Sequence, residues 1–448
     1  MMGPLRQSPV WEISLVIEGT GPAAIEARPG PRRLGALQGW GERTFESLRD
    51  RNLRILWIGT LLNFAGITMN QTAQSVVAFN LTGNSRAVGT VMLGMGLAML
   101  FIAPIAGAMA DRVSKRRMLV LCQAVAAASF LFVGFAISAD FISIPILAAS
   151  AFVSETMFAM IRSVRNAYIG EVATPAQRGN AVAVQQLAMT VMQVSGPFLA
   201  GVLIGWSAFG SAGTYAAMGA FFAVSIITML QLPRTSAPKR ASDAPNIIQD
   251  MWSGMRYGWT HAEIRWVLGG FVLLTVVGNP YITLLPGYVK RELGESTSNL
   301  GLLLGISAVG GFLVSIVAAS MADSRRAPHL LAACNLTFGA SLIGLGLAPN
   351  LGSAAVVMLF LGAGTSGFQV LNLAVALPAA DVAFMGRVAA LTMMAMSLSS
   401  IVALPVGILA DHFGDRPVLT IMGVAVLVAS VVLALWRRAS DQQIAAAR

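Results

Sequence analysis

The chain has 448 residues, a formal net charge of +10 and a mean hydropathy of +0.72. Only 11% of its residues are charged, against about 25% in soluble proteins, which leaves too little charge to coat a soluble domain of this size. The basic residues lie in short loops between apolar runs and not on one soluble face, so nucleic acid is excluded as a partner and a lipid bilayer is implied.

The apolar runs have the length of membrane helices, about 20 residues, and not the about 10 alternating residues of a barrel strand. Residues 1–50 precede them and carry Pro, Gly and Arg without sustained periodicity; this arm is expected to be cytoplasmic and largely disordered, with helix only near Phe45–Asp50. Six spans follow within 51–232, near 54–80, 86–109, 118–138, 143–168, 181–206 and 212–232. In span one, Asn63, Asn70 and Gln74 are seven and four residues apart and share a helix face. Between spans two and three runs Gly107-Ala-Met-Ala-Asp111-Arg112-Val-Ser-Lys-Arg116-Arg117. There the glycine permits close helix approach, and the aspartate suits an arginine or a helix N-terminus.

Span four contains Glu155, the single carboxylate deep within any predicted span, with Arg162 seven residues on and nearly on the same face. A lone carboxylate in lipid is costly and faces a cavity or a cation. Two readings stand: Glu155 as a protonatable coupling residue, or as one half of a structural pair. Arg162 and Arg165 either attract an anionic substrate or mark the inner end of the span. Span five supplies Gln185 and Gln193, then Gly196-Pro197, a kink or packing signal.

Residues 233–263 form a polar linker, in which Ile247, Ile248, Met251, Met255 and Trp259 recur at helical spacing and predict an amphipathic helix along the inner interface. Six more spans occupy 264–437, near 265–288, 299–321, 328–348, 353–377, 387–410 and 417–436, before a cytoplasmic tail over 438–448. Asn279 stands beside Pro280 in span seven; Gln369 and Asn372 lie in span ten. Cys122 and Cys334 sit inside apolar runs, and His261, His329 and His412 lie at loops or helix ends, so neither a metal centre nor a cofactor is expected.

The halves repeat. Ala110-Asp111 and Ala322-Asp323 each open a basic loop, Cys122-Gln123 and Cys334-Asn335 follow at the same distance, and Glu171-Val172-Ala173 matches Asp381-Val382-Ala383, all at offsets near 210 residues. Two parallel six-span repeats with a pathway between them are a transporter design. With the N-terminus inside, the outer connections carry only Arg86, Lys290, Arg291 and Arg416, and the other 26 of 30 basic residues fall inside. Both termini are therefore expected in the cytoplasm of a multi-pass protein of the cytoplasmic membrane.

The loop from Gly107 to Arg117 resembles the G-x-x-x-D-R-x-x-x-R/K signature of the major facilitator superfamily, matching at Gly107, Asp111, Arg112, Arg116 and Arg117. Gly196-Pro197-Phe-Leu-Ala-Gly201 is similar to a reduced form of the G-P-x-x-G-G motif of drug:proton antiporters. The segments Ile248–Tyr257, Leu284–Tyr288 and Gly301–Gly305 resemble the branch containing enterobactin exporters and macrolide-efflux proteins, over about residues 50–436. The resemblance implies an all-α membrane fold of twelve helices in two pseudo-symmetric six-helix bundles, alternating access, and proton-coupled export of a small molecule by a monomer. It also implies that spans one, four, seven and ten line the pathway, where Asn63, Asn70, Gln74, Arg162, Asn279, Gln369 and Asn372 fall. A non-transporting receptor or assembly partner on the same fold, or an importer, remains open, since fold alone does not decide function. No phosphate-binding loop or catalytic constellation points to an ATP-driven pump or an enzyme.

Overall fold

The computed structural model describes residues 46–110, 114–174, 177–232, 262–321, 324, 326–376 and 385–446. The chain divides into Met1–Thr44 and Phe45–Arg448. The first unit, the linker 233–261 with its expected amphipathic helix, and Asp111 and Arg112 lie outside the described residues.

Among the described residues of the second unit are twelve long helices: α1 (Arg51–Thr82), α2 (Ser85–Ala110), α3 (Lys115–Ser138), α4 (Ile144–Val172), α5 (Arg178–Gly205), α6 (Gly210–Leu230), α7 (Ala262–Gly278), α8 (Asn299–Met321), α9 (Ala327–Leu347), α10 (Leu351–Ala376), α11 (Met385–Phe413) and α12 (Asp415–Ala446). A short 3-10 turn, Glu46–Arg49, leads into α1. There Asp50 caps the helix by accepting from the N–H groups of Asn52 and Leu53 at 2.8 and 3.1 Å.

Eleven helical segments are long and apolar enough to cross a membrane; α1 is not among them. Its Asn63, Asn70, Gln71 and Gln74 lower its hydropathy, and the fold buries 19 of its 32 residues, Asn63, Asn70 and Gln74 among them. The helix with the weakest membrane signal is thus shielded by its neighbours. Large apolar side chains such as Phe101, Leu121, Phe135 and Ile421 are instead exposed on the outer faces, as a lipid solvent requires.

Span seven departs from the continuous helix expected near 265–288. It stops at Gly278 and resumes as Tyr281–Gly287, followed by a π-helical turn at Tyr288–Glu292. Pro280 is the physical reason: it donates no backbone hydrogen bond and its ring collides with the preceding turn. The last helix also outruns its expected span and continues to Ala446, because the segment after Leu435 is rich in helix-favouring Ala, Arg and Gln.

The repeat is visible in the packing. In the first bundle α1 packs on α5 and α6, α2 on α4, and α3 on α4 and α6. In the second, α7 packs on α11 and α12, α8 on α10, and α9 on α10 and α12, each partner six helices further on. One apolar cluster gathers side chains of α1–α6 with Ala403, and another gathers the second bundle with Val76. The bundles meet along α2–α11 and α5–α8.

The alternation of helices puts the start of α1 and α7 and the end of α6 and α12 at one end, here called proximal. Arg116 at the start of α3 donates to the Leu230 carbonyl at the end of α6 there, at 2.6 Å. The opposite, distal end has tight corners. All five residues with positive φ among those described lie in it: Gly83, Asp140, Gly210, Gly294 and Gly414. The glycine approaches between bundles also fall in the distal half. A Cβ on Gly201 would meet the Ser298 carbonyl oxygen at 2.6 Å and Gly301 Cα at 2.8 Å, and one on Gly89 would meet Leu404 Cα at 2.6 Å. Glycine is required at these positions because backbone abuts backbone.

Candidate functional site

The interior of the first bundle carries the charged groups. Glu155, near the middle of α4, is 6% exposed. Its Oε1 accepts from Arg162 Nη2 at 2.6 Å. Two helical turns separate the residues, so the arginine lies back along its own helix to reach the carboxylate. The Arg162 side chain is 36% exposed while that of Glu155 is 8% exposed, so the pair has one dry and one wetter partner.

Three residues further along α4, Arg165 is fully enclosed, with 1% of its surface exposed. Its Nη1 donates to Thr60 Oγ1 of α1 at 2.7 Å, while Nε and Nη2 have no hydrogen-bond partner. A buried cation held by one hydroxyl is costly to maintain. The sequence allows Arg165 either to attract an anionic substrate or to mark the inner end of span four; its burial follows from α1 packing over it, which composition does not reveal.

The α1 amides share this interior. Asn63, Asn70 and Gln74 are buried; both amide atoms of Asn63 and Gln74, and Oδ1 of Asn70, have no partner. Buried polar atoms are paired in the great majority of cases, so three incompletely satisfied amides on one helix face set this interior apart from an ordinary apolar core. Gln123 of α3 is likewise buried and unpaired.

The other sequence-predicted residues are more scattered. Gln185 is buried and lines a small apolar recess at the proximal end with Leu53, Leu56, Trp57, Ile169, Ala181 and Val184. Gln193 and Gln369 are exposed. Asn372 is buried. Asn279 occupies the break after α7, half-buried, with Nδ2 donating to the thioether of Met396 on α11 at 3.6 Å. Gly196-Pro197 serves packing: Thr68 of α1 bonds the Met192 carbonyl at 3.0 Å, and a Cβ on Gly196 would meet Thr68 Cβ at 2.8 Å.

Of the loop motif, Gly107 lies within α2, Arg116 holds the end of α6, and Arg117 is exposed. Beside them the buried Lys115 pairs with Glu171 at the end of α4. Among the described residues no group of His, Cys, Asp and Glu is arranged to hold a metal. A second charged cluster, at the distal corner around Arg291, Asp411 and Asp415, was not singled out from sequence. The four-residue spacing of two aspartates across a helix junction was its available signal.

A family model described as Major Facilitator Superfamily matches residues 56–404 and 267–448. No curated protein sequence matches significantly. Among solved structures, the nucleoside transporter NupG superposes with a TM-score of 0.72 at 12% identity, covering 86% of this chain and 99% of that one. A bacterial homologue of the human lysosomal transporter Spinster gives 0.69 at 16% identity, covering 87% and 96%. A bacterial homologue of the iron transporter ferroportin gives 0.66 at 17% identity, covering 86% and 98%. At these identities the likeness speaks for the fold. With twelve helices in two repeated bundles and a family model that spans most of the chain, this protein belongs to the major facilitator superfamily and is a multi-pass membrane transporter, not an enzyme.

Proposed function

We propose that this transporter exports a small organic molecule in exchange for protons, with both termini in the cytoplasm. The observation that carries the coupling is the Glu155–Arg162 pair at 2.6 Å. A proton on Glu155 releases Arg162, and its departure re-forms the pair, so proton and substrate compete for one guanidinium. The unpaired amides of Asn63, Asn70 and Gln74 suit a substrate rich in hydrogen-bonding groups. Siderophores, macrolides and comparable drug-like compounds fit that description, in keeping with the resemblance to their exporters. The repeats 51–232 and 264–437, joined by the linker 233–263, act as the two rocking bodies. The loop carrying Gly107, Asp111, Arg112, Arg116 and Arg117 gates the cytoplasmic side.

The test is antiport in proteoliposomes carrying a pH-sensitive dye and an imposed proton gradient, with a panel of such compounds. Wild-type protein should release protons when a substrate is added, and Glu155→Gln should abolish this while eluting as the same monodisperse species. Antiport at the wild-type rate in Glu155→Gln removes Glu155 from the mechanism. Accumulation of a solute by cells that depends on the protein would make it an importer.

A further inference from the structure

The distal corner holds charge that proton coupling through Glu155 does not use. Asp411 sits in the last turn of α11, yet its carboxylate reaches the other bundle. Oδ1 accepts from the backbone N–H of Ser85 at 2.7 Å, and Oδ2 from that of Arg86 at 2.9 Å. These are the first two N–H groups of α2, which have no acceptor within their own helix. A helix cap ordinarily comes from the adjoining residue; this one comes from 326 residues along the chain. It also sets a negative charge against the positive end of the α2 dipole.

Arg291, in the π-helical turn after span seven, ties the corner together. Its Nε and Nη2 donate to the two carboxylate oxygens of Asp415 at 3.0 and 2.9 Å, and its Nη1 donates to Asp411 Oδ1 at 3.1 Å. Nη2 also donates to Ser85 Oγ at 2.6 Å, and Ser85 Oγ donates to Asp415 Oδ1 at 3.2 Å. Both Ser85 and Asp415 are fully buried. The guanidinium lies 5.4 Å from the centre of the Phe79 ring of α1. Glu292 and Arg416 form a neighbouring pair at 3.2 Å, while Lys290, Arg86 and His412 are exposed around the rim. Glycine is needed on the approach: a Cβ on Gly407 would meet the Ser85 carbonyl oxygen at 2.6 Å.

The division of bonds matters. Every ion pair here joins residues of the second bundle, and what crosses to the first bundle is two backbone N–H groups, one hydroxyl and one aromatic face. Separation of the bundles would hand those groups to water and leave Arg291, Asp411 and Asp415 paired with one another. No buried charge is stranded, so the contact is specific but breakable.

Sequence gives an independent sign. Gly407-Ile-Leu-Ala-Asp411-His-Phe-Gly-Asp415-Arg416 repeats, 300 residues on, the pattern Gly107-Ala-Met-Ala-Asp111-Arg-Val-Ser-Lys115-Arg116, with Gly, Ala, Asp and Arg in register. One copy begins in the last turn of α2, at the proximal end, and the other in the last turns of α11, at the distal end, so they mark opposite ends of a helix pair that packs across the interface.

We propose that Asp411, Arg291 and Asp415 form a latch that holds the distal end shut by capping α2 from the opposite bundle, and that must let go of Ser85 and Arg86 in each transport cycle. The inference rests on the transport reading. The test uses full-length protein with Cys122 and Cys334 replaced by Ser, and spin labels at the exposed distal positions Ala139 and Asn350. Electron–electron distance measurement should find one short separation in the wild type. Asp411→Ala should raise the open-to-closed ratio roughly tenfold or more, the consequence of losing a charge-assisted bond. Asp411→Asn, which keeps one acceptor, should fall between. A folded Asp411→Ala protein with the wild-type distance distribution overturns the latch. If that variant does not fold, Ser85→Ala decides, with a shift in the same direction expected and an unchanged distribution overturning the proposal. The measurement needs no solute, so a latch that opens in a protein that moves nothing would sink the transport reading alone. Unchanged distances with intact transport would sink the latch alone.

Discussion

The two bundles share a packing plan and differ in where they hold charge. The first buries Lys115, Glu155 and Arg165 within it, together with the unpaired amides of Asn63, Gln74 and Gln123. The second buries one charged side chain among the described residues, Asp415, at its distal rim. Position by position the contrast is sharper. At the repeat offset of 210 residues, Glu155 and Arg165 correspond to Thr365 and Val375. Thr365 spends its hydroxyl on the carbonyl of Leu361 in its own helix, at 3.0 Å. A common architecture therefore encloses charge within the first bundle and keeps it at the distal rim of the second.

The largest effect expected from breaking this asymmetry comes at Arg165. Arg165→Met replaces a poorly satisfied buried cation by an apolar side chain of similar length. Replacement of a buried charge by a well-packed apolar residue is neutral or stabilising, so the melting temperature should hold or rise. Transport should fall at least about tenfold if the guanidinium takes part in the cycle, a barrier change of about 1.4 kcal/mol. Paired thermal-shift and proteoliposome measurements read both. A stable variant with full transport would make the charge a passive feature of the first bundle.

A smaller effect is expected at Gln123, whose two amide atoms are buried without partners. Gln123→Met should stabilise the protein by about 1 kcal/mol, since an unsatisfied buried amide carries about that penalty. A melting temperature that drops would mean that the amide is hydrogen-bonded in the working protein, and the polarity of the first bundle would extend to α3.

The helices were legible because lipid makes span length nearly independent of tertiary context: an apolar run long enough to cross must be a helix. The break in span seven was legible in principle at Asn279-Pro280, but an apolar window averages over one proline. The pairing of Glu155 with Arg162 could be read from spacing on one helix. The burial of Arg165 and the capping of α2 by Asp411 could not, because each depends on a residue 105 or more positions away, Thr60 in one case and Ser85 in the other. Long-range pairs of this kind leave no local periodicity.

The smallest predicted effect is the most direct control on the contrast between bundles. Thr365→Val removes a hydroxyl that already bonds its own backbone. Such a bond competes with the helix ladder and contributes little to tertiary stability. The variant should change antiport by less than about twofold and the melting temperature by no more than a few tenths of a kcal/mol in equivalent stability, within the range of substitutions that touch no special feature. The same assay applied to Glu155→Gln should show a complete loss. Equal losses at both positions would mean that the two repeats line the pathway as chemical equals, and proton coupling could no longer be assigned to the first bundle. A silent Thr365→Val beside an inactive Glu155→Gln would place the protonatable step on α4, where the buried carboxylate already has a cation within hydrogen-bonding distance.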